Sequence, residues 1–358
     1  MKAEQVVQLS GDASTARRKG EHIRICLQEA VDGEGIATGL ERYRFRHNAL
    51  PELSFDEISL ETEWLGLKLG APFLVSSMTG GTDEAGAINR RLAEAAEHQG
   101  WAIGLGSMRA VIEQEELAAS FHIRSEAPTV PVIANLGAVQ LNYGFGVESC
   151  RKAVDIAEAN ALVLHLNSMQ EVFQPEGNTD FSGLLPRIEE VCRSLDVPVG
   201  VKEVGWGIDA ETAASLSSAG ISFIDVAGAG GTSWSQVEKH RSSNPLQKLA
   251  AEAFAGWGLP TADSIREVRD RLPHMMVIAS GGLKNGVDAA KSFVLGADLA
   301  GFGKILLPRA ANGSSNRISV EQLIEQFQRI EFELRTVMFG IGAADIRALK
   351  NTNRLISL

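Results

Sequence analysis

From residue 71 onward the chain alternates between two textures. Short continuous apolar runs, each followed by Gly, Asn or Ser, give way to longer stretches with apolar residues at helical spacing. The runs are Pro72–Ser76, Trp101–Leu105, Pro131–Ala134, Ala161–Leu164, Val197–Val201, Ile221–Val226, Met275–Ala279 and Ala297–Gly301. Apolar on both faces, they predict strands of a buried parallel sheet. Between them, Ala87–His98 is rich in Ala, Glu and Leu. Asp209 is placed to cap a helix running to Ser218, with Glu211 in its first turn. Ile265, Val268 and Leu272 form an apolar stripe before the seventh run. The final helix is expected to start at Ser319, which opens the capping box Ser-Val-Glu-Gln and precedes Leu323, Phe327, Ile330, Leu334 and Val337. Eight strand–helix units predict an α/β fold of the TIM (β/α)8-barrel type. An open doubly wound sheet would carry Gly-x-Gly-x-x-Gly after its first strand, and none is present. Two regions fall outside the repeat. Residues 1–70 form an N-terminal arm and extension expected to cover the barrel of residues 71–358, and residues 227–260 form an insertion after strand six. Residues 310–316 read as a loop.

Composition narrows the function classes. The 358 residues carry 45 acidic and 34 basic side chains, a formal charge of -11, so no nucleic-acid partner is expected. An anionic ligand would have to be held by local groups. Cys26, Cys150 and Cys192 are odd in number and widely spaced, which predicts free thiols rather than disulfides or a zinc site. Met1–Gly20 lacks the apolar core of a signal peptide, and no run reaches the ~18 apolar residues of a membrane span. A cytoplasmic protein is the expectation.

Active sites of such barrels lie at the C-terminal strand ends. Here those ends read Ser77-Met78-Thr79-Gly80-Gly81, Gly106-Ser107-Met108-Arg109, Asn135-Leu136-Gly137, His165-Leu166-Asn167 with Gln170-Glu171, Lys202-Glu203-Val204-Gly205, Gly228–Ser233, Ser280-Gly281-Gly282-Leu283 and Gly303-Lys304. Gly281 and Gly282 paired with Gly303 and Lys304 suggest a phosphate cradle after strands seven and eight. Lys202 should point toward the barrel mouth and needs a partner there. An ion pair with Glu203 or Glu171, a flavin pyrimidine edge and a Schiff base all satisfy that need. Glu171 is a single carboxylate, too little for closed zinc but suited to Mg2+, which completes its shell with water and phosphate. In the N-terminal arm, Arg17, Arg18 and Lys19 read either as a solvated basic tail or as a diphosphate clamp.

Several of these stretches occur together in one family. The chain resembles the type 2, FMN-dependent isopentenyl-diphosphate isomerases. The resemblance is carried by Arg18-Lys19-Gly20-Glu21-His22-Ile23, the Ser77–Gly81 and Gly106–Arg109 segments, His165-Leu166-Asn167 with Gln170-Glu171 and Pro175-Glu176-Gly177, Val201–Gly205, Gly230-Gly231-Thr232-Ser233-Trp234 and Ser280–Leu283. It runs from residue 17 to about 345. The resemblance implies interconversion of isopentenyl and dimethylallyl diphosphate by proton addition and elimination with reduced FMN. It implies FMN contacts at Met78, Thr79, Gly80, Ser107, Asn135, Lys202, Thr232, Gly281, Gly282 and Leu283, with the FMN phosphate at Gly303 and Lys304. The substrate diphosphate would lie on Arg18, Lys19, Arg109 and His165, with Mg2+ on Glu171; Ser107 and Asn167 would also contact the substrate, and Gln170 would lie beside the alkene. Gln170, Lys202 and His165 are the implied catalytic set. NADPH would reduce the flavin, and a homo-oligomer is implied. Asn178 departs from the family pattern, which has an acidic residue there.

Two other enzyme readings are possible on the same barrel. A 2-hydroxy-acid oxidase would need a His base and an Arg pair near strand seven, and Ser280–Asn285 contains no His-Gly-Gly-Arg. A dehydrogenase of the IMP type would need a cysteine in the strand-six loop, and Gly228–Ser235 has none. A catalytically idle barrel would have no use for Lys202, His165, Gln170 and Glu171 together.

Overall fold

The computed structural model describes residues 12–312 and 316–358. Eight parallel strands close into a barrel: β1 (Phe73–Val75), β2 (Ala102–Gly104), β3 (Val132–Gly137), β4 (Ala161–His165), β5 (Val199–Lys202), β6 (Phe223–Asp225), β7 (Met276–Ala279) and β8 (Leu299–Phe302). Each pairs with the next, and β8 returns to β1 through Ala300↔Phe73, Gly301↔Leu74 and Phe302↔Val75. All eight expected runs therefore became barrel strands.

One end of the barrel is plugged. A hairpin of the extension, Thr62–Trp64 with Leu67–Leu69, inserts Trp64 among Leu74, Ile133, Val163, Phe223 and Ile278. Phe223 meets Trp64 edge-on at 5.2 Å. That ring fills the space of a missing side chain, since a Cβ on Gly200 would lie 2.3 Å from it. The seal leaves the C-terminal strand ends for ligands.

The helices that matter most are α1 (Asp12–Gln28), α2 (Asp83–Gln99), α3 (Ser168–Phe173), α4 (Trp234–Arg241) and α5 (Asn316–Ile341). Asp209 caps its helix as expected, accepting from Thr212 N at 2.7 Å. The insertion after β6 holds α4 and a second helix, Pro245–Ala253. The extension also reaches the far end of the chain, where Tyr43–Phe45 pairs antiparallel with Leu355–Ser357.

The expected start of α5 is corrected. Ser319 lies inside the helix, buried, and its hydroxyl donates to Asn312 O at 2.7 Å. It ties the helix to the preceding segment instead of capping it. The loop expected at 310–316 falls partly on 313–315, outside the described residues; Ala310 ends a short helix and Asn316 already belongs to α5. The apolar stripe of α5 packs on the barrel wall as its spacing predicts. Phe327 stacks on Trp101 with centroids 4.0 Å apart, and Trp101 Nε1 donates to Glu331 at 2.7 Å. Phe327→Ala removes a fully buried ring from this stack. Urea unfolding is expected to show a loss of about 3–5 kcal/mol.

Candidate active site

The strand ends surround one cavity of about 440 Å³, within the range of small-molecule sites. Arg18, Lys19, Met78, Thr79, Ser107, Arg109, Asn135, His165, Asn167, Gln170, Glu171, Lys202, Thr232, Gly281, Gly282, Leu283, Gly303 and Lys304 all line it. Gly80 does not. A Cβ there would lie 2.2 Å from the Phe121 ring, so this glycine lets β1's loop pack on its neighbour and is not at the cavity wall.

On one side the loops after β6, β7 and β8 meet as nearly bare backbone. Gly281 and Gly282 have φ of 101° and 79°, the left-handed side that favours glycine. Space is equally decisive. A Cβ on Gly281 would sit 2.1 Å from Gly228 O, and one on Gly282 would sit 2.6 Å from Gly230 O. The two glycines thus allow loop-on-loop packing as well as ligand approach. Their amides, with that of Leu283, have no protein acceptor among the described residues. Ser76 Oγ and Thr79 Oγ1, also at the cavity, are buried without partners. Unpaired buried donors of this kind call for a polar ligand. Lys304 Nζ reaches Asp32 at 2.8 Å, in a strap that pairs with the β6 loop through Gly33 N to Gly231 O and Ser233 N to Val31 O.

Lys202 is buried at the end of β5, beside Asp225 at the end of β6. Its ammonium donates to the backbone carbonyl of Glu203 at 2.5 Å. Of the three partners open to it, the ion pair with Glu203 or Glu171 is not made. Glu203 Oε2 instead accepts from the N–H groups of Val204, Gly205 and Trp206 at 2.6, 2.8 and 2.6 Å, closing the turn after β5.

His165 takes its tautomer from a chain of hydrogen bonds. Asn135 Nδ2 donates to Leu105 O at 3.0 Å, which turns Asn135 Oδ1 toward His165 Nδ1 at 2.8 Å. The proton therefore sits on Nδ1, and Nε2 keeps its lone pair. Burial, reinforced by the charges of Lys202, Lys19 and Arg18, pushes the imidazole down to about 3. It is neutral at physiological pH.

The opposite side is built from α1, α3 and α4. Helical spacing puts Arg18, Lys19 and His22 of α1 against the cavity. Arg18 and Lys19 thus belong to a docked helix and are not part of a solvated tail; the side chain of Arg17 lies outside the described residues. Arg18 approaches Glu176 at 3.7 Å. Lys19 has no ionic or hydrogen-bonded partner among the described residues, and burial beside Arg18 pushes it down to about 7. His22 donates from Nε2 to Glu238 at 2.9 Å, Gln170 Nε2 donates to the same oxygen at 3.0 Å, and Arg241 holds the other at 2.6 Å. Burial would raise the Glu238 carboxyl. The hydrogen bond and charge of His22, then the charge of Arg241 and the hydrogen bond from Gln170, outweigh it and leave it at about 2. Asn167 Nδ2 donates to Gln170 at 3.3 Å and to Glu171 at 2.8 Å. No group of three His, Cys, Asp or Glu that could hold a metal occurs among the described residues.

Glu238 and Arg241 escaped sequence reasoning. The available signal was the spacing Trp234, Glu238, Arg241, which puts an aromatic, an acid and a base on one face of an inserted helix.

Residues 156–356 match the family model described as FMN-dependent dehydrogenase. An isopentenyl-diphosphate delta-isomerase of Oceanobacillus iheyensis is 55% identical over 95% of this chain and 95% of its own. A protein of the same name from Nostoc is 47% identical over 97% of each chain. The chain belongs to the FMN-dependent isopentenyl-diphosphate delta-isomerase family. Among solved structures, a mandelate oxidase superposes with a TM-score of 0.64 at 20% identity, covering 99% of this chain and 98% of that one. A lactate oxidase of Pediococcus acidilactici gives 0.64 at 16%, covering 100% and 96%. At those identities the oxidases share the fold. The isomerase relatives share the sequence as well, which disfavours the 2-hydroxy-acid oxidase reading.

The His165 assignment makes a sign-specific prediction. Its folded pKa lies below the usual imidazole value, so the unfolded chain binds more protons between about 3 and 6.5. Its contribution to stability is complete above about 6.5 and is lost as pH falls toward 3. Nitrogen NMR of ring-labelled protein is expected to show a neutral Nδ1–H imidazole throughout pH 5–8, and a ring that titrates near 6.5 would refute the assignment.

Proposed function

We propose that this enzyme interconverts isopentenyl diphosphate and dimethylallyl diphosphate with reduced FMN, as a step of isoprenoid synthesis. The carrying observation is the division of one cavity into two faces. One has bare glycine backbone, free amides and unpartnered hydroxyls; the other has cations around a single carboxylate. The first fits FMN. Gly281–Leu283, Gly303 and Lys304 would hold its phosphate, and Met78, Thr79, Ser107, Asn135, Lys202 and Thr232 its ring system. The second fits a diphosphate with Mg2+. Arg18, Lys19, Ser107, Arg109 and Asn167 would hold the anion, and Glu171 the metal; His165, neutral with its proton on Nδ1 toward Asn135, offers the anion no N–H. Glu171 suits Mg2+ because each of its oxygens receives only one N–H, from Asn167 and Asn178, and keeps a lone pair free.

Moving the double bond requires a proton added at one carbon and another removed nearby. An unactivated alkene is a weak base, so the site must be dry and its proton donor well placed. Reduced FMN, when bound, supplies a ring nitrogen able to give and take a proton. The protein's residues do the rest. Lys202 places a buried positive charge in the flavin half of the cavity. Neutral His165 offers Nε2 without adding a charge that would oppose cationic character on the alkene. Gln170, fixed by Glu238 and Asn167, presents a positioned amide at the cavity. Glu171 would hold Mg2+, which with Arg18 and Lys19 would neutralise the diphosphate, and α1 lines that side of the cavity. NADPH would serve as the flavin reductant, activating a reaction that is redox-neutral overall. The family resemblance adds a homo-oligomer; no helix among the described residues is long and apolar enough to cross a membrane.

The deciding experiment incubates the purified protein with FMN, Mg2+, NADPH and isopentenyl diphosphate in D2O without oxygen. Deuterated dimethylallyl diphosphate is expected by NMR, only when the flavin is reduced. Oxidation of a 2-hydroxy acid with no isomerisation would reverse the reading. Glu171→Gln is expected to lower Mg2+ affinity about 10–100-fold, seen in the Mg2+ dependence of turnover.

Lys19 supplies a pH signature. With its pKa near 7 in the free enzyme, the ammonium is lost as pH rises through neutrality. A bound diphosphate favours the charged form, so binding takes up a proton and weakens as pH rises from about 7 to 9. Calorimetry of Mg2+-pyrophosphate binding in buffers of different ionisation heat is expected to show this uptake. Lys19→Gln should abolish most of it.

A further inference from the structure

Between the arginine after β2 and the carboxylate on α3 stands a residue outside the sites assigned above. The segment after α3 folds back over the helix end, with Gly177 N bonded to Gln174 O at 3.0 Å. The fold is so close that a Cβ on Gly177 would lie 1.8 Å from Glu171 O. Only glycine permits it. The consequence is that Asn178, next in sequence, touches both functional groups. Its backbone N–H donates to Glu171 Oε2 at 2.5 Å. Its side-chain Oδ1 accepts from Arg109 Nη1 at 2.9 Å and from Gln140 Nε2 at 3.2 Å. Arg109 is gripped again at its other edge, where Nε donates to Glu113 at 2.8 Å. With Nε and Nη1 engaged, Nη2 has no protein partner among the described residues.

We propose that Asn178 is a positioning residue that couples the metal carboxylate to the diphosphate arginine, fixing Glu171 through its backbone and Arg109 through its amide oxygen. The proposal rests on the diphosphate reading of this half of the cavity. A guanidinium left to rotate could satisfy itself with Glu113 alone. Held at two edges, it turns its remaining donors toward the site, so less rotamer freedom is lost when an anion arrives. Gln140, buried and donating to the same oxygen, keeps the amide oriented. The role needs an acceptor at this position and does not need a neutral one. Aspartate satisfies it; alanine and leucine do not.

The test uses the FMN-loaded full-length protein and Mg2+-pyrophosphate as the probe, with binding followed by calorimetry. Asn178→Ala and Asn178→Leu are expected to weaken pyrophosphate about tenfold or more and to raise KM for isopentenyl diphosphate in step, with kcat and FMN affinity little changed. Asn178→Asp is expected to stay close to the wild type in all four quantities. Equal loss of pyrophosphate binding in the alanine and aspartate variants would overturn the proposal, and so would undiminished binding in the alanine variant. A loss of FMN affinity matching the loss of pyrophosphate affinity would assign Asn178 a general structural role and overturn it too. If the wild type itself fails to bind Mg2+-pyrophosphate, the diphosphate reading falls, and this proposal falls with it.

Discussion

The geometry of the site depends on one buried carboxylate. Glu238 is fully excluded from water, and an ion so placed destabilises a fold unless each oxygen is matched by donors. The donors come from three separate segments: His22 of the arm helix, Gln170 of the helix after β4, and Arg241 on its own helix. The requirement to satisfy one group therefore locks three separate helices into one arrangement. Arg241 extends the lock, reaching Glu21 and Glu176 as well. Burial pushes the His22 imidazole down while its hydrogen bond to Glu238 pulls it back up, and Arg241 adds a positive charge at the carboxylate's other oxygen. Removing any one partner would leave the carboxylate underpaired, which costs more than the bond itself contributes.

A second constraint acts at the opposite face, through the absence of side chains. The loops after β6 and β7 cross with backbone against backbone. Gly231 sits where a Cβ would fall 2.5 Å from Gly282 N, and Gly230 where one would fall 2.2 Å from Thr38 N of the extension. Three segments distant in sequence stack because none has anything to put between them. Donors that would otherwise be screened by side chains stay bare at the cavity. The site thus has one wall fixed by a saturated charge and another fixed by close backbone packing.

These two constraints also explain what could be read in advance. The barrel was legible because every strand is buried on both faces, so eight apolar runs stood out against helical spacing. The cavity residues were legible largely because strand ends in this fold share one rim, and position along a strand then implies position in space. Gly80 shows where that logic stops. It lies in the right segment but packs under Phe121, and the sequence alone does not say which glycine faces a ring and which faces a ligand. Ser319 fails for a related reason: its local pattern is a good cap, but a partner at Asn312 recruits the hydroxyl to a turn further upstream. The lock on Glu238 was the least accessible part. It lies in an insertion with no periodic relation to the barrel, and its partners are 216 and 68 residues away in sequence.

The charge distribution follows from what the site must do. The chain as a whole is acidic, yet Arg18, Lys19, Arg109 and Lys202 converge on one cavity. Cations gathered without matching anions raise each other's cost, and the free protein relieves that cost in ways visible in the structure. Lys19 is held near neutrality of charge, His165 is driven far from protonation, and Arg109 leans on Glu113 and Asn178. A bound diphosphate would reverse the balance, making the charged form of Lys19 favourable. The same anion that fills the site would thereby complete its electrostatics. An alkene without the diphosphate would meet a cavity still partly discharged, so recognition of the phosphate end and readiness at the hydrocarbon end are set by one event.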